Sequence, residues 1–205
     1  MIGINKLYIR SHVTDSIRHG GNKRVAFSPF TTMPFLFSKK GEICMFSFFK
    51  KKRDLSIYAP VDGEVIPLSF VPDPVFRDKL MGDGIAIIPT DGHFCAPING
   101  KVILIAPTKH AIGLKAEDGT ELLIHVGLDT VDLNGEGFHP FLKIGDSVSI
   151  GQPLMDVDLA FINSQAKSII SPIIITNDDE HKKLISFTVK KTVHIGKTVI
   201  MSITG

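Results

Sequence analysis

The stretch Gly119-Thr120-Glu121-Leu122-Leu123-Ile124-His125-Val126-Gly127-Leu128-Asp129-Thr130-Val131 decides how this chain is read. Treated as a strand, its side chains alternate between two faces. Leu122, Ile124, Val126 and Leu128 then share one face, which reads as core. Leu123, His125 and Asp129 share the other, with Gly127 between them. His125 is therefore expected outside the core, on an apolar outer surface beside a carboxylate. No side chain at position 127 covers the approach to it. An imidazole changes charge near neutral pH, so an apolar strand is an unusual place for one. The arrangement suits a histidine that reacts.

Composition agrees with a strand-rich fold. The 205 residues include 18 Gly and 12 Pro, many Val and Ile, and no Trp. That balance favours short strands and turns over long helices. No apolar run approaches the ~20 residues of a membrane span, and no secretory signal is recognisable. Two cysteines, Cys44 and Cys95, make no disulfide framework, and a reducing cytoplasm is the simpler setting. The net charge of +2 hides an asymmetry. Residues 1–53 hold eleven Lys/Arg and two Asp/Glu, a net +9, and the remainder is −7. An acidic body argues against nucleic acid as a partner.

The N-terminal part has no steady period. Residues 1–44 read as a disordered extension or as an over-extended start, with translation beginning at Met45. The second reading rests on Lys40-Gly41-Glu42, whose codons can form a purine-rich string like a bacterial ribosome-binding site. From Met45 to Arg53 three aromatics precede four cations, a short leader suited to weak contact with an anionic membrane surface. A solvated linker is the equal alternative.

From Leu55 onward the pattern is regular. Ala59-Pro60-Val61-Asp62-Gly63-Glu64-Val65 recurs as Ala96-Pro97-Ile98-Asn99-Gly100-Lys101-Val102. Each copy reads as a hairpin: a strand end, a turn needing glycine at positive φ, and a new strand. Further strands are expected near 84–89, 100–105, 110–115, 121–128, 154–158, 171–175, 187–194 and 198–203. The expected class is all-β, a compact antiparallel β-sandwich or barrel with a few short helical turns. About two turns of helix are expected over 73–82, with Asp73 as N-cap, Pro74 first and Gly82 as stop. Others are expected within 159–168 and 178–184.

His125 has a candidate companion in His110. Strands 110–115 and 121–128 flank the Asp118-Gly119 turn, so 115 faces 121 and 110 faces about 126. A one-residue slip decides whether the two histidines share a face. With Thr108 and Asp129 nearby, two chemistries fit a neutral pair. One is phosphoryl transfer, in which a ring nitrogen attacks phosphorus and a neighbour donates to the phosphoryl oxygens. The other is zinc held by two His and a carboxylate, but H-x-H and H-x-x-x-H spacings are absent. Gly82-Asp83-Gly84 is too short for a phosphate loop. A phosphoryl group would come from another protein, and neither a cofactor nor a metal is called for.

At these residues the chain resembles the glucose-type enzyme IIA (EIIA) domain of the bacterial phosphoenolpyruvate-dependent sugar phosphotransferase system. The resemblance runs from about Ile57 to the C-terminus, and the domain is drawn as 54–205. Besides 119–131 it is carried by Val71-Pro72-Asp73, Gly82-Asp83-Gly84-Ile85-Ala86-Ile87, Gly135-Glu136-Gly137-Phe138 and Ile170-Ser171-Pro172. It implies a β-sandwich whose His125 accepts a phosphoryl group from the carrier HPr and passes it to an EIIB domain of an EIIB/EIIC sugar permease. It implies that His110 supports transfer, that Thr108 and Asp129 stand beside the site, and that Val75, Phe76, Leu80, Met81, Leu123 and Val131 dock partners. A regulatory role set by phosphorylation state is compatible with it. Two other readings remain. Ile144 to Leu154 resembles biotinyl and lipoyl carrier modules, though the modified lysine is missing; a zinc hydrolase lacks its ligand motifs.

Overall fold

A computed structural model of the chain describes residues 54–177 and 184–204. The expectations for residues 1–53, including the disordered extension and the aromatic and basic leader, lie outside the described residues. So does nearly all of the helical turn expected over 178–184.

The described chain is built from short strands. In order they are β1 (Leu55–Tyr58), β2 (Gly63–Pro67), β3 (Asp83–Pro89), β4 (His93–Cys95), β5 (Gly100–Ile105), β6 (Ala111–Ala116) and β7 (Glu121–His125). Then come β8 (Phe138–Pro140), β9 (Ser147–Val148), β10 (Pro153–Val157), β11 (Ser171–Ile175), β12 (Leu184–Phe187), β13 (Thr192–Val193) and β14 (Val199–Thr204). Two short helices, α1 (Pro74–Arg77) and α2 (Leu159–Gln165), complete the regular structure with two 3-10 turns, Leu68–Phe70 and Thr130–Leu133. The large sheet has the order β13-β2-β3-β11-β7-β6-β5-β9, and two three-stranded sheets have the orders β1-β14-β12 and β4-β10-β8. Every pairing is antiparallel. This is the expected all-β sandwich; the sheets do not close into a barrel.

Alternation along the large sheet divides its apolar residues between two cores. Ile85, Ile87, Ile112, Leu114, Leu122, Ile124, Ile173 and Ile175 face the main core. There they meet Phe94, Phe138 and Met155 from one small sheet and Ile57, Met201 and Ile203 from the other. Ala86, Ala111, Leu123 and Ile174 point the opposite way into a second cluster, closed by Leu68, Val71 and Phe76. Leu128 belongs to this second cluster and not, as the alternation suggested, to the main core. The strand ends at His125, and Gly127 at φ 73° turns the chain before Leu128.

Three other expectations are corrected. The repeated Ala-Pro-x-x-Gly segments are not hairpins but crossovers that carry the chain from a small sheet into the large one. The two copies bond each other reciprocally: Tyr58 N–H donates to the Pro97 carbonyl and Cys95 N–H to the Pro60 carbonyl, at 2.9 and 2.8 Å. Their glycines are needed for close approach. A Cβ on Gly63 would lie 2.3 Å from the Ile88 carbonyl oxygen, and one on Gly100 2.2 Å from that of Lys115. Helix α1 keeps its expected start, with Asp73 Oδ1 accepting from Val75 N–H at 2.8 Å. It stops at Arg77 because the chain turns left-handed at Lys79, φ 54°, before Gly82 is reached. The strand expected over 187–194 is two strands, β12 and β13, with a break between them.

Candidate phosphoryl-transfer site

The site grows out of the β6–β7 hairpin. Its register pairs Lys115 with Glu121 and Ala111 with His125, as the Asp118-Gly119 turn predicted. A cross-strand ion pair, Lys115 Nζ to Glu121 Oε1 at 2.9 Å, sits on that register. One step beyond, Val126 N–H donates to the His110 carbonyl at 2.8 Å. Register alone would send His110 to the face of Val126, opposite His125. The two rings nevertheless meet, with centroids 4.7 Å apart and planes at 66°. His110 precedes β6 and follows Lys109, which is left-handed at φ 59°, so it is released from the pleat. Lys109 N–H closes that turn onto the Ala106 carbonyl at 2.7 Å.

His125 is half-buried at the edge of the second cluster, more enclosed than an open outer surface would leave it. The Phe76 ring packs edge-on at 5.0 Å. The His125 Nδ1–H donates to the Gly127 carbonyl at 2.9 Å. A carbonyl can only accept, so this bond fixes the hydrogen on Nδ1 and leaves the lone pair on Nε2. Burial first, and then the neighbouring His110, push the His125 pKa down to about 3; the Gly127 carbonyl opposes them. Burial also lowers that of His110. Both rings are therefore neutral at pH 7. His110 Nδ1 shares a 2.6 Å hydrogen bond with Thr108 Oγ1.

The other expected site residues divide. Asp129 is exposed, left-handed at φ 58°, with its carboxylate 3.8 Å from Lys167 Nζ and no hydrogen bond to either imidazole. Phe76 and Leu123 are buried, 5% and 6% exposed, and form the floor under the histidines. Val75 and Met81 are half-buried. Leu80 and Val131 are exposed apolar residues, as is Phe70, which the sequence reading did not single out. It gave no role of their own to Thr130 and Ser171, which hold the turn after His125. A serine in a strand more than forty residues away carries no local signal. Among the described residues no three His, Cys, Asp or Glu side chains gather as a metal site needs, and no helix is long and apolar enough to cross a membrane.

A family model described as phosphoenolpyruvate-dependent sugar phosphotransferase system, EIIA 1, matches residues 55–181. The chain belongs to this EIIA family. A glucose-specific EIIA component of the phosphotransferase system from Staphylococcus epidermidis is 50% identical over 152 residues, 74% of this chain and 91% of that protein. The Staphylococcus aureus protein of the same name is 50% identical over 153 residues, covering 75% and 92%. Glucose permease IIA from Mycoplasma capricolum has a similar structure, with a TM-score of 0.67, 39% identity, and coverage of 73% of this chain and 96% of that one. This EIIA is thus a phosphocarrier component of a sugar phosphotransferase system. Of the three readings left open by the sequence, family membership selects this one over a swinging-cofactor module or a zinc hydrolase.

Proposed function

We propose that His125 carries the phosphoryl group on Nε2, taking it from phospho-HPr and giving it to an EIIB domain. The observation that carries this reading is the Nδ1–H bond to the Gly127 carbonyl, which leaves Nε2 as the nucleophilic nitrogen. In the first half-reaction the Nε2 lone pair attacks phosphorus. The N–P bond of the donor breaks, and its electron pair stays on the donor ring. In the second half-reaction a nucleophile of EIIB attacks, the Nε2–P bond breaks, and neutral His125 is restored.

The surroundings fit both steps. A neutral acceptor ring has its lone pair available. When Thr108 donates to His110 Nδ1, His110 carries its hydrogen on Nε2 and can donate it to a phosphoryl oxygen. The burial of Phe76 and Leu123 keeps the floor dry. Exposed Leu80 and Val131, with half-buried Val75 and Met81, offer partners a small apolar rim. Asp129, turned toward Lys167, supports the edge of the site rather than the reacting nitrogen. Phosphorylation would replace an apolar surface by an anionic one, a basis for regulation as well as transport. The domain begins near Asp54 and works in the cytoplasm. The names of the relatives point to glucose as the transported sugar.

Labelled phosphoenolpyruvate with enzyme I and HPr should label the wild-type chain, and omitting HPr should prevent it. His125→Ala should lose the label entirely; a mutant that still labels would overturn the assignment. His110→Gln should accept the label and pass it poorly to EIIB. Normal sugar phosphorylation by that mutant would remove His110 from the relay.

A further inference from the structure

One peptide group next to His125 is gripped at both ends by buried hydroxyls. The Val126 carbonyl accepts from Thr130 Oγ1 at 2.8 Å. The N–H of the same peptide, on Gly127, donates to Ser171 Oγ at 3.3 Å. Ser171 spends its own hydrogen on the Ile169 carbonyl at 2.9 Å, so its oxygen is left to accept. Thr130 and Ser171 are both 0% exposed, so water does not compete for these bonds. The neighbouring amides are also committed: Val126 N–H to the His110 carbonyl and Leu128 N–H to the Ser168 carbonyl, each at 2.8 Å.

The consequence falls on the next peptide. With the Val126–Gly127 plane fixed on one side and Leu128 N–H held by the Ser168 carbonyl on the other, Gly127 sits at φ 73° and its carbonyl meets His125 Nδ1 at 2.9 Å. Thr130 acts through its methyl group as well. A Cβ on Gly127 would lie 2.6 Å from Thr130 Cγ2, so the methyl packs directly beneath the glycine. Ser171 is anchored in β11, which pairs with β7 on its free side, Ile173 opposite Ile124. Ser171 thereby ties the turn to the large sheet.

We propose that Thr130 and Ser171 are positioning residues that clamp the Val126–Gly127 peptide, aim the Gly127 carbonyl at His125 Nδ1, and thereby select the tautomer that attacks through Nε2. The proposal rests on the phosphohistidine reading above. It adds that nucleophile identity is set by two hydroxyls that touch neither the ring nor the phosphoryl group. Losing either one removes one of the two buried hydrogen bonds to this peptide, and losing Ser171 also frees the Ile169 carbonyl; each loss is an effect of about tenfold.

The test is nitrogen NMR of the full chain labelled in its histidine rings, at pH 7.5, alongside the rate of label uptake from phospho-HPr. Wild type should show His125 protonated on Nδ1 and bare on Nε2. Ser171→Ala and Thr130→Val should each show a mixture of tautomers and accept phosphoryl about tenfold more slowly. Ser171→Thr and Thr130→Ser, which keep the hydroxyls, should recover the Nδ1-protonated tautomer, Thr130→Ser with some loss of rate because the methyl beneath Gly127 is gone. The two hydroxyls are removed separately, and Ser171→Ala deletes a single atom, so one misfolded variant leaves the other decisive. A purely structural role would lower the melting temperature of Ser171→Ala while leaving His125 wholly Nδ1-protonated; that result overturns the proposal. The tautomer is read without phosphorylation. Label found elsewhere than His125 would thus defeat the relay reading, while the NMR result still judges the clamp.

Discussion

His125 and His93 each hold a hydrogen bond through Nδ1, and their surroundings push them in opposite directions. His125 bonds a backbone carbonyl, is packed by Phe76 and His110, and has its pKa pushed down to about 3. His93 opens β4 on an exposed face, with Nδ1 2.7 Å from Asp156 Oδ1. The hydrogen bond and the charge of Asp156 raise its pKa. The difference lies in the acceptor. A carboxylate stabilises imidazolium, which has no lone pair and would sit beside a negative charge that repels a phosphoryl group. A carbonyl orients the ring and leaves it neutral. The chain places Asp129 close to His125 in sequence, yet turns it toward Lys167 and gives the ring Gly127 O instead.

The comparison breaks most sharply at the glycine. Gly127→Ala would force a side chain into a left-handed backbone and against Thr130 Cγ2. It should destabilise the fold by about 1–3 kcal/mol in urea titration and slow phosphoryl acceptance more than tenfold. Asp156→Ala should leave acceptance unchanged. Equal losses in the two variants would contradict the assignment of roles.

The next effect is on the pH dependence of stability. The folded pKa of His125 is below its unfolded value of roughly 6.5. Between those values the unfolded chain binds the extra proton, so stability is full above about pH 6.5 and falls as pH drops toward 3. The slope from this group is at most roughly 1.4 kcal/mol per pH unit. His125→Gln should flatten the denaturation midpoint between pH 7 and 5. An unchanged slope would mean that the ring is not held neutral by folding.

His93 should behave in the opposite sense and more weakly. Its raised pKa means that its contribution is present below the unfolded value and lost as pH rises through the folded one. Being exposed, it adds little to stability. Asp156→Asn should shift the His93 titration, followed by proton NMR, back down toward the ordinary imidazole range. No shift would remove Asp156 as the cause.

Much of this was legible in the chain itself. The Asp118-Gly119 turn pointed to the β6–β7 pairing that the structure has, while the sequence left a one-residue slip open. The Asp73-Pro74 start of α1 is local chemistry and was readable for that reason. What escaped depends on contacts distant in sequence. The repeated Ala-Pro-x-x-Gly segment looks like a hairpin until the sheets are assembled and it proves to cross between them. Gly63 and Gly100 answer to the neighbouring strand and not to their own φ. The meeting of His110 with His125 needs the left-handed Lys109, which no alternation rule supplies. Ser171 acts across a strand pairing, so its bond to Gly127 had no signature in the stretch that contains His125.

The reaction turns on one nitrogen atom, His125 Nε2. Phosphorus and nitrogen NMR of the chain phosphorylated by HPr, with histidine rings labelled, reads that atom directly. The expected product is a single phosphohistidine at His125, bonded through Nε2, with Nδ1 still protonated and held by the Gly127 carbonyl. Phosphorus on Nδ1 of His125, or on His110, would contradict it.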